Sequence, residues 1–427
     1  MTPSDQAAEQ PVDESNASVV SGETATDTSI RVTLKPRRAM PFFSRHPWVF
    51  ESAIDRVDGA LQHELIVGTA VKLYSSSGEF IAHGLWNEAS KIRIRLYSWD
   101  EDVPLTADFW KQCVVTAVSN RNRTYPLNSV GIGVRLIFSE ADFLSGLTVD
   151  FYDGYALAQF TSNALYQYRE DFIEALKDEL QPKGIWLRTE KGMREAEGLV
   201  AEDGLIYGTE PPRPLFITEN DIQYGVDVQQ GQKTGCYLDQ RENRRIASKY
   251  MYGEMLDAFC FSGGFGITAL KANAVESVLA IDSSEAALTL AAANAALNEV
   301  ANRMKFEKND VKRALAILED SGRKFDSVVI DPPRMARSRG GLNRAIKGYS
   351  KLNQQAIRVL KPNGILVTCS CSGLVSRLEF QDMLQEASRA ERRPIQILEQ
   401  LGQPADHPIS VSCPETEYLK VFVCRVL

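Results

Sequence analysis

From about residue 216 onward, short apolar runs alternate with longer stretches rich in alanine and leucine. "GEMLDAFCFSGGFG" begins as an apolar strand and ends in glycines. "ESVLAIDSS", "FDSVVIDPP" and "ILVTCSCSG" are further runs of the same kind. Between them lie "ITALKANAV", "EAALTLAAANAALNEV" and "YSKLNQQAIRVLKPNG", which read as helices, the last stopped by Pro362 and Gly364. Strands that are apolar almost throughout are buried on both faces, and helices between them cover those faces. The pattern therefore predicts an α/β fold with a doubly wound parallel sheet. The chain ends with two more β-like runs, "PISVSCP" and "YLKVFVCRV".

The earlier part of the chain has a different rhythm. "GTAVKLYSSSGEFIAHGLWN" is a predicted hairpin around Ser77-Gly78, and "KIRIRLYSW" alternates apolar and basic residues. That alternation sets Lys91, Arg93 and Arg95 on one strand face, either as a solvated face or as a phosphate contact. Residues 31–104 thus read as a small β-barrel. Residues 105–215 read as mixed α+β, with "YALAQFTS" and "GIWLRTE" as strands and "DFIEALKDEL" as an amphipathic helix. The loop "GTEPPRP" closes this section, and the strand–helix alternation fills 216–427.

Composition narrows the chemistry. The first 30 residues carry six acidic side chains and no Lys or Arg, and they read as a disordered tail. Without that tail the net charge of −8 becomes −2, from 48 basic and 50 acidic residues. Global charge then neither favours nor excludes a nucleic acid, and local charge has to decide. The start of the chain has neither the basic n-region nor the apolar h-region of a signal peptide. No stretch reaches the ~18 apolar residues of a membrane span. Seven scattered cysteines without a C-x-x-C pair, and four histidines, argue against a disulfide framework and a structural metal site. These features together predict a reducing, cytoplasmic setting, no metal and no membrane.

Ligands of open doubly wound sheets bind at the carboxyl ends of the strands. Asp257, Ser262, Gly263 and Gly264 fall at the first such end. Asp282, with Ser283 beside it, closes the second strand 25 residues later, where a carboxylate can accept both hydroxyls of a ribose. Asn309 and Asp310 would border an adenine. The run Ser262-Gly263-Gly264-Phe265-Gly266 departs from G-x-G-x-x-G, which disfavours a nicotinamide dehydrogenase.

The reaction site falls on two later strand ends. In "IDPPR", two prolines stiffen the backbone after Asp331 and leave a carboxylate and bare carbonyls for a flat base. In "LVTCSCSG", Cys369 and Cys371 point to one side of an extended strand, and Cys371 lies nearer its carboxyl end. Cys369 reads as packing and Cys371 as a nucleophile toward an electron-poor ring carbon. Arg334, Arg337, Arg339, Arg344, Lys347 and Lys351 follow with no acid among them, which favours a phosphate backbone.

These residues resemble the bacterial 23S rRNA cytosine-5 methyltransferase family. "SRHPWVF" looks like its PUA start, "SEADFLSGLTVDFYDGY" its central segment, and "VDVQQGQKTGCYLDQRENR" its entry into the methyltransferase. "DPPR", "SCSG" and "DHPISVSCPETEYLK" are similar to its later motifs. The resemblance runs from about residue 31 to the end. It implies an N-terminal PUA-like RNA-binding β-barrel, a central linker domain and a C-terminal class I methyltransferase using S-adenosyl-L-methionine, with ribosomal RNA as substrate; a homodimer is compatible with it. Asp257, Gly263, Gly264, Asp282 and Asp310 match its cofactor motifs. Asp331 matches the acid facing the target base, and Cys371 the nucleophile. Arg334 stands where the family often has lysine, and Cys369 where it usually has an apolar residue. The acidic tail has no counterpart. Rival readings are a guanine or adenine exocyclic-amine methyltransferase that needs no cysteine, a uracil-5 methyltransferase, and a non-catalytic RNA-binding assembly factor.

Overall fold

The computed structural model describes residues 30–59, 65–189, 192–229, 236–336 and 338–427; the tail expected to be disordered lies outside them, apart from Ile30. The first sheet holds six strands: β1 (Ile30–Leu34), β2 (Trp48–Phe50), β3 (Ile54–Asp58), β4 (Ala70–Tyr74), β5 (Phe80–Trp86) and β6 (Ile92–Ser98). Their spatial order is 2-6-5-4-1-3. The predicted hairpin is β4–β5, its turn closed by the Ser75 carbonyl accepting from Gly78 and the Ser75 amide donating to Glu79. Val32, Leu34, Val49, Leu73, Ile94 and Leu96 fill its core.

The second sheet contains β7 (Gly133–Phe138), β8 (Leu147–Tyr152), β9 (Tyr155–Phe160), β10 (Gly184–Arg188) and β11 (Gly204–Gly208), in the order 11-10-9-8-7. Helices Ala107–Thr124 and Arg169–Leu180 pack on it through Trp110 and Phe172, both fully buried. A separate hairpin, β12 (Leu215–Glu219) and β13 (Ile222–Val226), docks on helix Glu285–Leu297. There Asn294 accepts from the Gly225 amide at 2.8 Å, and Asn298 from the Gln223 amide at 3.0 Å.

The last sheet has seven strands: β14 (Glu254–Ala258), β15 (Ser277–Asp282), β16 (Met304–Lys308), β17 (Phe325–Ile330), β18 (Leu360–Ser370), β19 (Ile395–Leu401) and β20 (Lys420–Val426). The order is 16-15-14-17-18-20-19. Consecutive residues go to opposite cores. Met255, Val329 and Val367 pack on one face, and Leu256, Val328 and Leu366 on the other. This explains the unbroken apolar runs in the sequence.

The five strands from β14 to β18 are parallel, and β20 runs antiparallel between β18 and β19. One sequence expectation is corrected here. "PISVSCP" is a turn with a single Ser410–Cys413 bridge, bounded by two prolines that cannot donate to a ladder. The strand beside β20 is instead "IQILEQL". It is an edge strand whose Gln396, Glu399 and Gln400 mask its apolar alternation.

Candidate active site

Asp257 lies in β14, 1 % exposed, and its Oδ2 accepts the Gly266 amide at 2.9 Å. Burial, with Asp331 and Asp282 close by, pushes its carboxyl up to about 7. The turn that follows has Phe259, Phe261 and Gly263 at φ of 63°, 46° and 81°. Left-handed aromatic residues cost on the order of 1–3 kcal/mol each and persist only where surrounding structure fixes them. Here the Phe259 and Cys260 amides both donate to the Ile281 carbonyl, and the Phe261 amide donates to Asp282 Oδ2 at 3.0 Å.

Asp282 ends β15. Its other oxygen accepts the Ser284 amide at 2.9 Å. Each carboxylate oxygen therefore keeps a second lone pair for a hydroxyl. Gly263 and Gly264 are buried, Ser262 is half-buried and Ser283 is exposed. A Cβ on Gly264 would come within 2.9 Å of the Arg244 side chain, so a larger residue would push against the guanidinium that pairs with Glu219. Asp310 caps helix Val311–Asp320 through the Arg313 amide at 3.0 Å, and Asn309 donates to Glu307 at 2.9 Å. Paired acceptors at Asp282 and the neighbouring acids Asp257 and Asp331 suit a ligand that carries both a ribose and a positive charge. S-adenosyl-L-methionine has both, and Asp257, Asp282 and Asp331 are the residues that would hold it.

Asp331 follows β17 on the same edge. Gln240 Nε2 donates to its Oδ2 at 3.0 Å, and Asn243 Nδ2 donates to Gln240 Oε1 at 2.7 Å. The Cys371 sulfur lies 3.8 Å from the carbonyl oxygen of Pro332, the residue after Asp331. Ser372 holds this arrangement together. Its hydroxyl oxygen accepts the Met335 and Ala336 amides at 3.2 and 3.1 Å and bonds the Tyr349 hydroxyl at 3.0 Å. Cys371 is half-buried, whereas Cys369 is fully buried. Burial first, and Asp331 second, raise the Cys369 thiol well above its ordinary value, so it stays protonated.

Sequence reasoning missed the wall opposite. Tyr418 donates to Asp239 at 2.7 Å, and Lys420 donates to the Ser372 and Tyr418 carbonyls at 2.7 and 2.9 Å. These residues lie in the quoted segments "GCYLDQRENR" and "PETEYLK", but no periodicity separates them from packing.

Of the residues expected to grip RNA, Arg334, Arg339, Arg344, Lys347 and Lys91 are exposed, and Arg337 lies outside the described residues. Lys347 and Lys351 line a groove of about 400 Å³ with Gln354 and Arg358. Arg93 and Arg95 are corrected. Arg93 pairs with Glu51 at 3.0 Å and sits over the Trp86 ring. Arg95 is 6 % exposed and bonds Glu197 at 3.0 Å, Glu140 at 3.3 Å and the Ser145 hydroxyl at 2.9 Å. Strand alternation located these side chains, but not that Glu51 and Trp86 engage Arg93 and that Glu140 and Glu197 enclose Arg95, while Lys91 stays open.

An exposed cationic surface lies elsewhere on the first sheet. Arg37, Arg38 and Arg45 are exposed and make no ion pair with a described residue. They flank helix Met40–Phe43, whose Met40 and Phe43 are 69 % and 37 % exposed. This surface adjoins the reaction end of the sheet. His46 contacts Glu415 at 3.4 Å, and a Cβ on Gly373 would lie 3.9 Å from the Glu415 carbonyl oxygen.

Among the described residues, His46, Cys413 and Glu415 bring potential metal-ligand atoms within 4.8 Å of one another. The Trp48 amide donates to His46 Nδ1 at 3.3 Å, which puts the ring proton on Nε2, facing Glu415. That nitrogen then has no lone pair to give.

The strand order with one antiparallel strand next to the edge, the strained glycine turn and the ribose-type carboxylate define a class I S-adenosylmethionine-dependent methyltransferase, carrying a PUA-like sheet at its N-terminal side. Residues 32–99 match the family model of a PUA-like domain, and residues 253–410 that of a methyltransferase domain. The chain is 38% identical over 402 residues to ribosomal RNA large subunit methyltransferase I of Tolumonas auensis, covering 93% of this chain and 100% of that one. It is 38% identical over 400 residues to the Aeromonas hydrophila protein of the same name, covering 93% and 99%. The chain belongs to the ribosomal RNA large subunit methyltransferase I family. The solved fold of a Streptococcus mutans protein assigned to the SAM-dependent methyltransferases matches with a TM-score of 0.79 at 20% identity, over 93% of this chain and all of that one.

Two outcomes follow from the geometry. Arg95→Met leaves buried Glu197 and half-buried Glu140 without their counter-charge and should cost about 3 kcal/mol in urea unfolding, whereas Lys91→Met should cost under about 0.5 kcal/mol. Asp257 is raised in the folded chain relative to about 3.9 unfolded. Its contribution to stability is therefore present below pH ~4 and lost as pH rises to about 7. Asp257→Asn keeps an acceptor for Gly266 and should lack this loss, so the stability difference between variant and wild type should shift in favour of the variant across that window.

Proposed function

We propose that this protein transfers a methyl group from S-adenosyl-L-methionine to carbon 5 of a cytosine in large-subunit ribosomal RNA, through a covalent bond from Cys371 to carbon 6. The observation that carries this reading is the 3.8 Å approach of the Cys371 sulfur to the Pro332 carbonyl, next to Asp331. Nucleophile and acid share one mouth, on the edge that also presents Asp257 and Asp282.

Carbon 5 of cytosine is a weak nucleophile. Addition of the Cys371 thiolate to carbon 6 breaks the 5,6 double bond and makes carbon 5 enamine-like. Asp331, steadied by Gln240, holds the ring through a proton shared with N3, and that proton moves onto N3 as negative charge develops there. The cofactor, when bound, supplies the electrophilic methyl group. Once carbon 5 has bonded that methyl group, transfer of the carbon-5 proton to water as base restores the double bond, the sulfur–carbon bond breaks and Cys371 leaves as thiolate. The cytosine reaches this mouth only outside its stack, at a cost of a few kcal/mol unless it is already unpaired.

RNA would cross the surface of Arg37, Arg38 and Arg45, where Met40 and Phe43 offer apolar faces to unstacked bases. Arg334, Arg339, Arg344 and Lys347 would take the strand on the other side of the mouth. We divide the chain into four parts: a tail at 1–30, a PUA-like RNA-binding part at 31–104, a linker part at 105–215 and the methyltransferase at 216–427. The setting is cytoplasmic, in line with an RNA substrate; no described helix is long and apolar enough to cross a membrane.

Cys371→Ala should reduce methyl transfer to background and leave cofactor binding intact, while Cys369→Ala should stay within a few-fold of wild type. Nucleoside mass spectrometry of unmodified ribosomal RNA treated with the protein should show 5-methylcytosine. A methylated exocyclic amine, or full activity in Cys371→Ala, would defeat the covalent scheme. Arg37→Glu with Arg38→Glu should weaken RNA binding and lower the slope of log affinity against log salt by about 0.9 for each phosphate no longer neutralised. Cofactor affinity should not move.

A further inference from the structure

Lys420 is 1 % exposed. Its ammonium donates to two backbone carbonyls, Ser372 and Tyr418, and makes no ion pair with a described carboxylate. The acids that face it are engaged elsewhere. Glu417 pairs with Arg377 at 3.3 Å, and Glu379 accepts from the Ser376 hydroxyl and amide in a helix cap. A buried cation without a counter-ion is costly, since carbonyl dipoles replace only part of its hydration. Burial accordingly lowers Lys420 to about 8, which still leaves it charged at neutral pH. The group beside it that is able to acquire a negative charge is Cys371, which adjoins the Ser372 carbonyl that Lys420 binds.

We propose that Lys420 is a positioning residue that holds Cys371 as a thiolate and pins the 371–373 turn against the reaction mouth. The proposal rests on the role given to Cys371 above. The thiol proton passes to solvent, and the resulting anion takes the place of the missing counter-ion. Among the described groups, Cys369, Tyr349 and Tyr418 also interact with the sulfur, and none of the three is a cation. Asp331 and buried Cys369 lie on the β17–β18 side. Tyr349 comes from helix Leu342–Arg358, and Tyr418, bonded to Asp239, from the segment before β20. Arg377 is a second cation near Lys420, but it is held by the Leu401 carbonyl and Glu417. Among the described residues, Lys420 is a buried cation whose electrostatic surroundings include the Cys371 sulfur.

The test is alkylation of Cys371 by iodoacetamide as a function of pH, read by peptide mass spectrometry on the full chain. Wild type should be half-modified below the ~8.5 of an ordinary thiol. Lys420→Met should raise that midpoint by about 1–2 pH units, and Lys420→Arg should bring it back. The alkaline shift should appear equally in the pH profile of kcat, with KM for the cofactor unchanged. A wild-type midpoint at or above that of an ordinary thiol overturns the proposal, as does an unshifted midpoint in folded Lys420→Met. Should Lys420→Met not fold, the wild-type midpoint and Lys420→Arg decide. Alkylation does not depend on methyl transfer, so activity surviving in Cys371→Ala would remove the nucleophile reading and leave the thiol measurement standing.

Discussion

The reaction mouth depends on the register of three neighbouring strands. In the parallel pair β17–β18, Ile330 lies opposite Thr368, which brings Asp331 level with Cys369 and leaves Cys371 two residues further out. In the antiparallel pair β18–β20, Ser370 lies opposite Lys420. Residues from the end of the chain thereby enter a site whose other members come from strand ends more than 45 positions earlier. A slip of one residue in either pair would turn Cys371 to the opposite face, since successive side chains alternate. Both cores lock that register. Val329 and Val367 fill one, and Val328 and Leu366 the other, so a slip would exchange them wholesale.

The two cysteines show how two positions along one strand change a thiol's surroundings. They share a side and differ by two residues, yet one is sealed and the other reaches the mouth. Sealing keeps the Cys369 proton in place, because a thiolate there would be desolvated and would face Asp331. At Cys371 the balance changes, because Lys420 and solvent both become available. Ser372 adds the constraint that makes the difference usable. Its side chain bonds both the loop after the prolines and Tyr349 of helix Leu342–Arg358, which ties the strand end to them.

Much of this was legible in the sequence. Unbroken apolar runs announced a sheet covered on both faces, and the strand ends carrying Asp257, Asp282, Asp331 and Cys371 were readable because parallel strands all deliver their ends to one edge. Lys420, Tyr418 and Gln240 were not readable. Lys420 sits in a run that looks like any terminal strand, and only antiparallel insertion turns its first residues toward the mouth. Arg95 failed for the complementary reason. Alternation fixes which face a side chain takes, but what covers that face is decided by Glu140 and Glu197, 45 and 102 positions away.

The middle sheet contributes through burial and charge. Asp406 is fully buried and accepts from Arg241 at 2.7 Å and from the Arg135 amide on β7 at 3.1 Å, with His407 at 3.1 Å on its other oxygen. Burial alone would raise this carboxyl, but His407 and Arg241 hold it below its ordinary value. The same helix, Arg241–Ser248, carries Asn243, which orients Gln240 and through it Asp331. Phe138 at the end of β7 packs on both His407 and Tyr418. One buried carboxylate therefore ties the middle sheet to the two elements that set the acid and the cation of the mouth. Removing a partner would leave that charge unpaired, and the strain would fall on residues that never touch substrate. The middle sheet thus reaches the candidate site through the Arg135 amide and the Phe138 ring.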